Sequence, residues 1–130
     1  MWLFLLADKP RLRWLVWSAY VLLWTTLLVI PIPDAVDWSP LDSEYVTKKA
    51  LAKTGHVCAY ALMTILTAWL RTGPRLRMAM LFFLMAHAAG TEWIQLNVAG
   101  RSGTVNDIVL DHLGILCGLV LSWRWWTEAA

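Results

Sequence analysis

The sequence predicts an all-α polytopic membrane protein, a bundle of four transmembrane helices forming a single domain. Three observations carry that expectation. The 130 residues are 59% hydrophobic and 15% charged, whereas a soluble domain is roughly half apolar and about a quarter charged. The apolar residues gather into four blocks, each near the ~20 residues that cross a hydrocarbon core. The breaks between the blocks hold most of the prolines and several of the charges.

Span one is placed at residues 11–30. Trp14 to Ile30 is continuously apolar, and Pro31 and Pro33 stop it. The run is too long for a signal-peptide core and no small-x-small cleavage site follows, so it reads as a retained span. Pro31 to Pro40 reads as a loop with Asp34 and Asp37. A helix is expected from Ser43, capped by Asp42 or Ser43, with Glu44 favouring its first turn. Its first part carries Lys48, Lys49 and Lys53 and belongs at the surface. Span two then occupies 51–70. Arg71, Thr72, Gly73 and Pro74 make a sharp stop. Span three is placed at 76–98, a Gly- and Ser-rich turn at 99–104, and span four at 105–126.

Seven Lys and Arg (Lys9, Arg11, Arg13, Arg71, Arg75, Arg77 and Arg124) fall on one side of this arrangement, and four (Lys48, Lys49, Lys53 and Arg101) on the other. The positive-inside rule then makes both termini cytoplasmic. Several of the ten tryptophans sit at the ends of apolar runs, at the level of the lipid headgroups. A net charge of +2 and the lack of a basic tract argue against nucleic acid as a partner. Cys58 and Cys117 stand in no metal or redox spacing and are expected to be small buried hydrophobes.

The stretch from His87 to Gly118 joins spans three and four and concentrates polar groups in a chain otherwise rich in hydrocarbon. Ionisable groups at membrane depth are costly and usually have partners. Lys53, His56 and Tyr60 share one face of span two at 100° per residue. Glu92 and Gln95 share a face near the end of span three. Asp107, Asp111, Gly114 and Gly118 share a face of span four. All three faces reach one level of the outer leaflet, because the rise is ~1.5 Å per residue. Lys53 and Arg101 are expected to snorkel over the carboxylates. The cluster then holds two cations, three acids and one histidine, so a protonated carboxyl or an external cationic group is needed for balance. Gly114 and Gly118 form a small-xxx-small motif, which turns the Asp107–Asp111 face towards another helix.

With these residues placed, the chain resembles the VanZ family. The likeness rests on KTGHVCAYALMTIL, GTEWIQ and RSGTVNDIVLDHLGILCG, across about residues 53–118. The family pattern falls on Lys53, His56, Tyr60, Glu92, Gln95, Arg101, Asp107, Gly114 and Gly118. Asp111 departs from it, since members often carry Asn there. The resemblance implies a bacterial cytoplasmic-membrane protein, in some members linked to reduced teicoplanin susceptibility. It implies no settled reaction, substrate or cofactor.

Several functional readings follow. The first is a binding role, with Lys53, His56, Tyr60, Glu92, Gln95, Arg101, Asp107 and Asp111 holding the headgroup of a membrane lipid or lipid-linked cell-wall precursor. The second is an integral-membrane enzyme in which His56 is a base, Glu92 or Asp111 an acid, and Arg101 a stabiliser of negative charge. The third is a proton or ion path, for which His87 is the main inner group. A structural reading bonds His56, at its helix end, to Glu92 or Asp111, and pairs Glu92 and Asp111 with Lys53 and Arg101 as helix glue. It makes Arg101, with Ser102 and Thr104, a loop anchor and helix cap. Asp107 reads as a helix N-terminal carboxylate, and His87 and His112 read as packing or surface residues. No metal site is expected, because no two histidines stand at ligand spacing on one helix face, and no cofactor is expected. A homo-oligomer is left open.

Overall fold

The computed structural model describes residues 9–31, 43–101 and 103–127. Every regular element among them is helical. Helix α1 is Pro10–Val29, α2 Ser43–Trp69, α3 Pro74–Gln95, α4 Val105–Leu121 and α5 Trp123–Thr127. The loop acids Asp34 and Asp37, the cap at Asp42 or the Ser43 side chain, and Ser102 lie outside what is described.

The helix starts have local causes. Pro10 and Pro74 occupy the first turns of α1 and α3, where the missing N–H would have no partner anyway. Thr104 caps α4, its Oγ1 accepting from the Asp107 N–H at 3.1 Å. Arg71 takes a left-handed conformation, φ 52°, in the turn after α2. Helix α3 ends at Gln95, and residues 96–100 form turns, so its helical course stops short of Val98. The fourth block is broken at Ser122. The Ser122 hydroxyl donates to Gly118 O at 2.6 Å and accepts Trp126 Nε1 at 3.0 Å. A serine that bonds back to its own helix competes with the helical ladder. Helix α5 restarts from there.

The core is Val21, Tyr60, Met63, Leu84, Ala88 and Ile115, drawn from four helices. The most extensive packing is α4 on α2. It depends on two glycines. A Cβ at Gly114 would collide with the Val57 carbonyl and the Tyr60 side chain. One at Gly118 would collide with the Ala61 carbonyl and Thr64. These are the residues of the small-xxx-small motif, so its role is close backbone approach.

Helix α1 lies along α2 and α3, held by polar rungs. Arg13 donates to Trp69 O at 3.3 Å and lies over the Trp69 ring. Trp17 donates to Thr67 at 2.9 Å. Tyr20 donates to Ala59 O at 3.4 Å. Trp24 meets His56 edge to face. Thr25 meets His87 at 2.7 Å. At the end where α1 begins, buried Arg77 donates to Trp125 O and Trp126 O at 2.7 and 2.8 Å.

The outer faces are apolar. Leu15, Leu22 and Leu23 on α1, Phe82 and Trp93 on α3, and Val120 and Leu121 on α4 are all at least 57% exposed. Among the described helices, α1 alone is long and apolar enough to cross a membrane by length and composition. Helix α4, with 17 residues, is about 26 Å long against a core of ~30 Å. Cys58 is exposed and Cys117 partly so. The expectation of a buried Cys58 is therefore corrected: it lies on the side of α2 turned away from the bundle.

Replacing Gly114 or Gly118 by Leu should destabilise the bundle by at least the ~1–3 kcal/mol of an overpacked core. Gly90→Ala should be neutral or slightly stabilising, because nothing lies within 4 Å of its added Cβ and alanine favours helix by ~0.5–1 kcal/mol. Thermal melts of the purified protein in detergent measure both.

Candidate functional site

The polar faces of α2, α3 and α4 converge at one end of the bundle. Gly114 seats α4 against Val57, and that contact carries Asp111, one turn earlier, to His56. His56 Nδ1 lies 2.9 Å from Asp111 Oδ1 and 3.8 Å from Glu92 Oε1. Asp111 is 0% exposed and Glu92 2%. The second oxygen of Glu92, Oε2, accepts the Thr104 N–H at 3.0 Å. Glu92 thus ties the end of α3 to the start of α4. Gly103 makes this possible, since a Cβ there would collide with the Glu92 carbonyl.

The helix-glue reading is corrected in its partners. Among the described residues, the ion pairs of Glu92 and Asp111 go to His56. Arg101 points elsewhere, donating Nε to Ile30 O at 3.2 Å and Nη2 to Leu27 O. Those carbonyls end α1, where a helix carries partial negative charge and attracts cations. Arg101 is therefore a loop anchor rather than a cover over the carboxylates. Removing two carboxylates from water costs several kcal/mol per ion, and a histidine carries at most one positive charge. Glu92 Oε1, Asp111 Oδ2 and Gln95 Nε2 are buried without hydrogen-bond partners among the described residues.

Above the carboxylates lies a cavity of about 160 Å³ lined by Lys49, Lys53, His56, Gln95, Arg101 and Asp107, among others. Its lining is mainly basic, and His56 is shared between the cavity and the carboxylate cluster. Asp107 stands in the first turn of α4 and accepts the Thr104 hydroxyl at 2.7 Å, as a helix N-terminal carboxylate does. On the other side of Glu92, a mainly apolar cleft of about 190 Å³ runs between α3 and α4, lined by Ala89, Trp93, Leu96, Val105 and Ile108.

Tyr60 and His87 belong to a second network deeper in the bundle. Tyr60 is fully buried. Its hydroxyl lies 2.9 Å from His87 Nδ1 and 3.2 Å from Thr91 Oγ1. His87 Nε2 lies 2.7 Å from Thr25 Oγ1, which donates its own proton to Val21 O. Thr25 must then accept from Nε2–H, so His87 Nδ1 is an acceptor and Tyr60 its donor. His87 is thus a half-buried bridge between α1 and α2. The reading as plain packing missed that role, because its partners lie on other helices. His112 bonds to Ile108 O within its own helix at 2.7 Å, away from the cluster.

His56, Glu92 and Asp111 each offer one donor atom, and the three atoms lie within 4.8 Å of one another. The expectation of no metal site considered only histidine spacing within single helices. The fold assembles a donor set from three helices, which no single stretch of sequence contains.

The VanZ/LLP1 family model matches residues 17–126, which takes in every group just described. The chain belongs to the VanZ/LLP1 family. No curated protein and no solved structure gives a significant match. The family relation covers the polar cluster, the glycine contact and most of α1, so the site lies within the shared domain.

Tyr60→Phe should cost about 1–3 kcal/mol, since it removes a fully buried hydroxyl and leaves the half-buried His87 Nδ1 without its donor. The lost stability is read from thermal melts in detergent, and His87→Phe in the same background should add less than it does alone.

Proposed function

We propose that this VanZ-family protein is a membrane-embedded helical bundle that binds a phosphate-bearing lipid headgroup in one leaflet, that of a membrane phospholipid or a lipid-linked cell-envelope precursor. The observation that carries the reading is the cavity lined by Lys49, Lys53, Arg101 and His56, beside the buried His56–carboxylate cluster. Lys49 and Lys53 in the lining suit the phosphate, and lysine serves phosphate as a compact point charge. Asp107 in the same lining suits an ammonium or a hydroxyl belonging to the same headgroup. The apolar cleft between α3 and α4 suits the first part of an acyl chain. The wide exposed apolar surface supports burial in lipid, since soluble monomers rarely expose large contiguous apolar patches. In this reading α1 to α4 all cross the membrane. The Lys/Arg bias puts both termini in the cytoplasm and the cavity on the outer side of a bacterial cytoplasmic membrane. Holding a precursor headgroup there would alter how a glycopeptide such as teicoplanin meets its target.

The hydrogen bond between His56 and Asp111 favours a second reading, an enzyme acting on the same headgroup. A carboxylate that fixes an imidazole ring is a common way to orient a general base. Incubation with phospholipid and precursor vesicles, followed by mass spectrometry, separates the readings, because only the second yields a His56-dependent product.

Native mass spectrometry of the protein released from vesicles of phosphatidylethanolamine and phosphatidylglycerol should show retained lipid. Lys49→Gln and Lys53→Gln should each weaken retention by about 1 kcal/mol, roughly fivefold. Retention unchanged in the double variant, or no lipid held by the wild type, would remove the headgroup reading.

A further inference from the structure

We propose that His56, Glu92 and Asp111 form a divalent-cation site, with Zn²⁺ or Mn²⁺ as the fitting ions. The donors come from three helices, and their ligand atoms already lie within 4.8 Å of one another. Metal–ligand distances of ~2.0–2.2 Å place neighbouring donors roughly 3–3.6 Å apart. The His56–Asp111 and His56–Glu92 separations, 2.9 and 3.8 Å, bracket that range.

An independent observation points to a cationic ligand. Glu92 Oε1 and Asp111 Oδ2 are buried and have no hydrogen-bond partner among the described residues. Buried carboxylate oxygens seek donors or metal ions. Arg101, the nearby guanidinium, is committed to the α1 carbonyls. A doubly charged ion balances two carboxylates, which a histidine alone does not. One imidazole nitrogen with carboxylate oxygens suits first-row divalent ions rather than the soft ions that select thiolates. With the ion bound, His56 Nδ1 acts through its lone pair and the ring proton sits on Nε2.

Three protein ligands leave a coordination position open, as in sites where a metal meets a substrate or water. His56 lines the cavity that carries Lys53, which sets that space beside the site. On the headgroup reading above, a phosphate oxygen would complete the shell. That clause rests on the lipid proposal, whereas the metal site does not.

The test uses the full chain in detergent, stripped with a chelator and dialysed against Zn²⁺, Mn²⁺ or Co²⁺. Elemental mass spectrometry should find one ion per chain, and Co²⁺ should give ligand-field absorption bands. Asp111→Asn and Glu92→Gln should weaken binding by more than the ~10–100-fold that follows loss of a group merely supporting a ligand. Lys53→Gln should keep the metal while weakening lipid retention roughly fivefold. Absence of bound ion and of Co²⁺ bands in the wild type overturns the inference, whatever the variants do. So does metal content that Asp111→Asn and Glu92→Gln leave unchanged. A wild type that retains vesicle lipid but no ion defeats the metal site and leaves the headgroup reading standing. An ion held without lipid does the reverse.

Discussion

The close approach of α4 to α2 is the constraint from which the site follows. Gly114 and Gly118 bring the helix backbones together where any side chain would collide with Val57, Tyr60, Ala61 or Thr64. In lipid, apolar side chains gain little by leaving hydrocarbon for one another, so close packing and hydrogen bonds dominate helix association. The glycine contact sets both the rotation and the height of α4. Asp111, one turn before Gly114, is thereby brought to His56, the residue before Val57. Glu92 joins them because Gly103 lets the loop fold tightly over the end of α3 and present the Thr104 N–H to its carboxylate.

The polar groups are divided between two tasks. Tyr60, His87 and Thr25 form a saturated chain that ends on the Val21 carbonyl. Every hydrogen in it has an acceptor, so it joins helices and leaves no spare valence. The His56 cluster differs, since it holds buried carboxylate oxygens without hydrogen-bond partners among the described residues. A fully satisfied network rigidifies a core, while a partly satisfied one is costly. Such a cost persists most readily where function requires it. That contrast makes the His56 cluster, rather than the Tyr60 chain, the functional candidate.

Much of this was legible in the chain. The apolar blocks and their Pro and Gly stops located the helices, and helical periodicity brought His56, Glu92 and Asp111 to one level. The GILCG spacing identified the tight face of α4. What stayed hidden depended on relations between segments. Arg101 had a choice between the carboxylates and the end of α1, and only the position of Leu27 and Ile30 decides it. His87 looks apolar in context because Tyr60 and Thr25 are far away in sequence. Gly103 reads as ordinary turn glycine until the loop is seen pressed on Glu92. The break at Ser122 arises from a single hydroxyl turning back on Gly118, which composition does not reveal.

The contacts of α1 carry a different lesson. Arg13, Trp17, Tyr20 and Trp24 meet α2 at alternating steps of four and three residues, a seven-residue beat whose slight mismatch with the 3.6-residue turn wraps a helix in a left-handed sense around its neighbour. Such a seam tolerates drift in side-chain identity better than drift in phase. One inserted residue would swing everything beyond it by about 100° and send the later rungs outward together. Evolution along this helix is thus freer to exchange letters than to change their number.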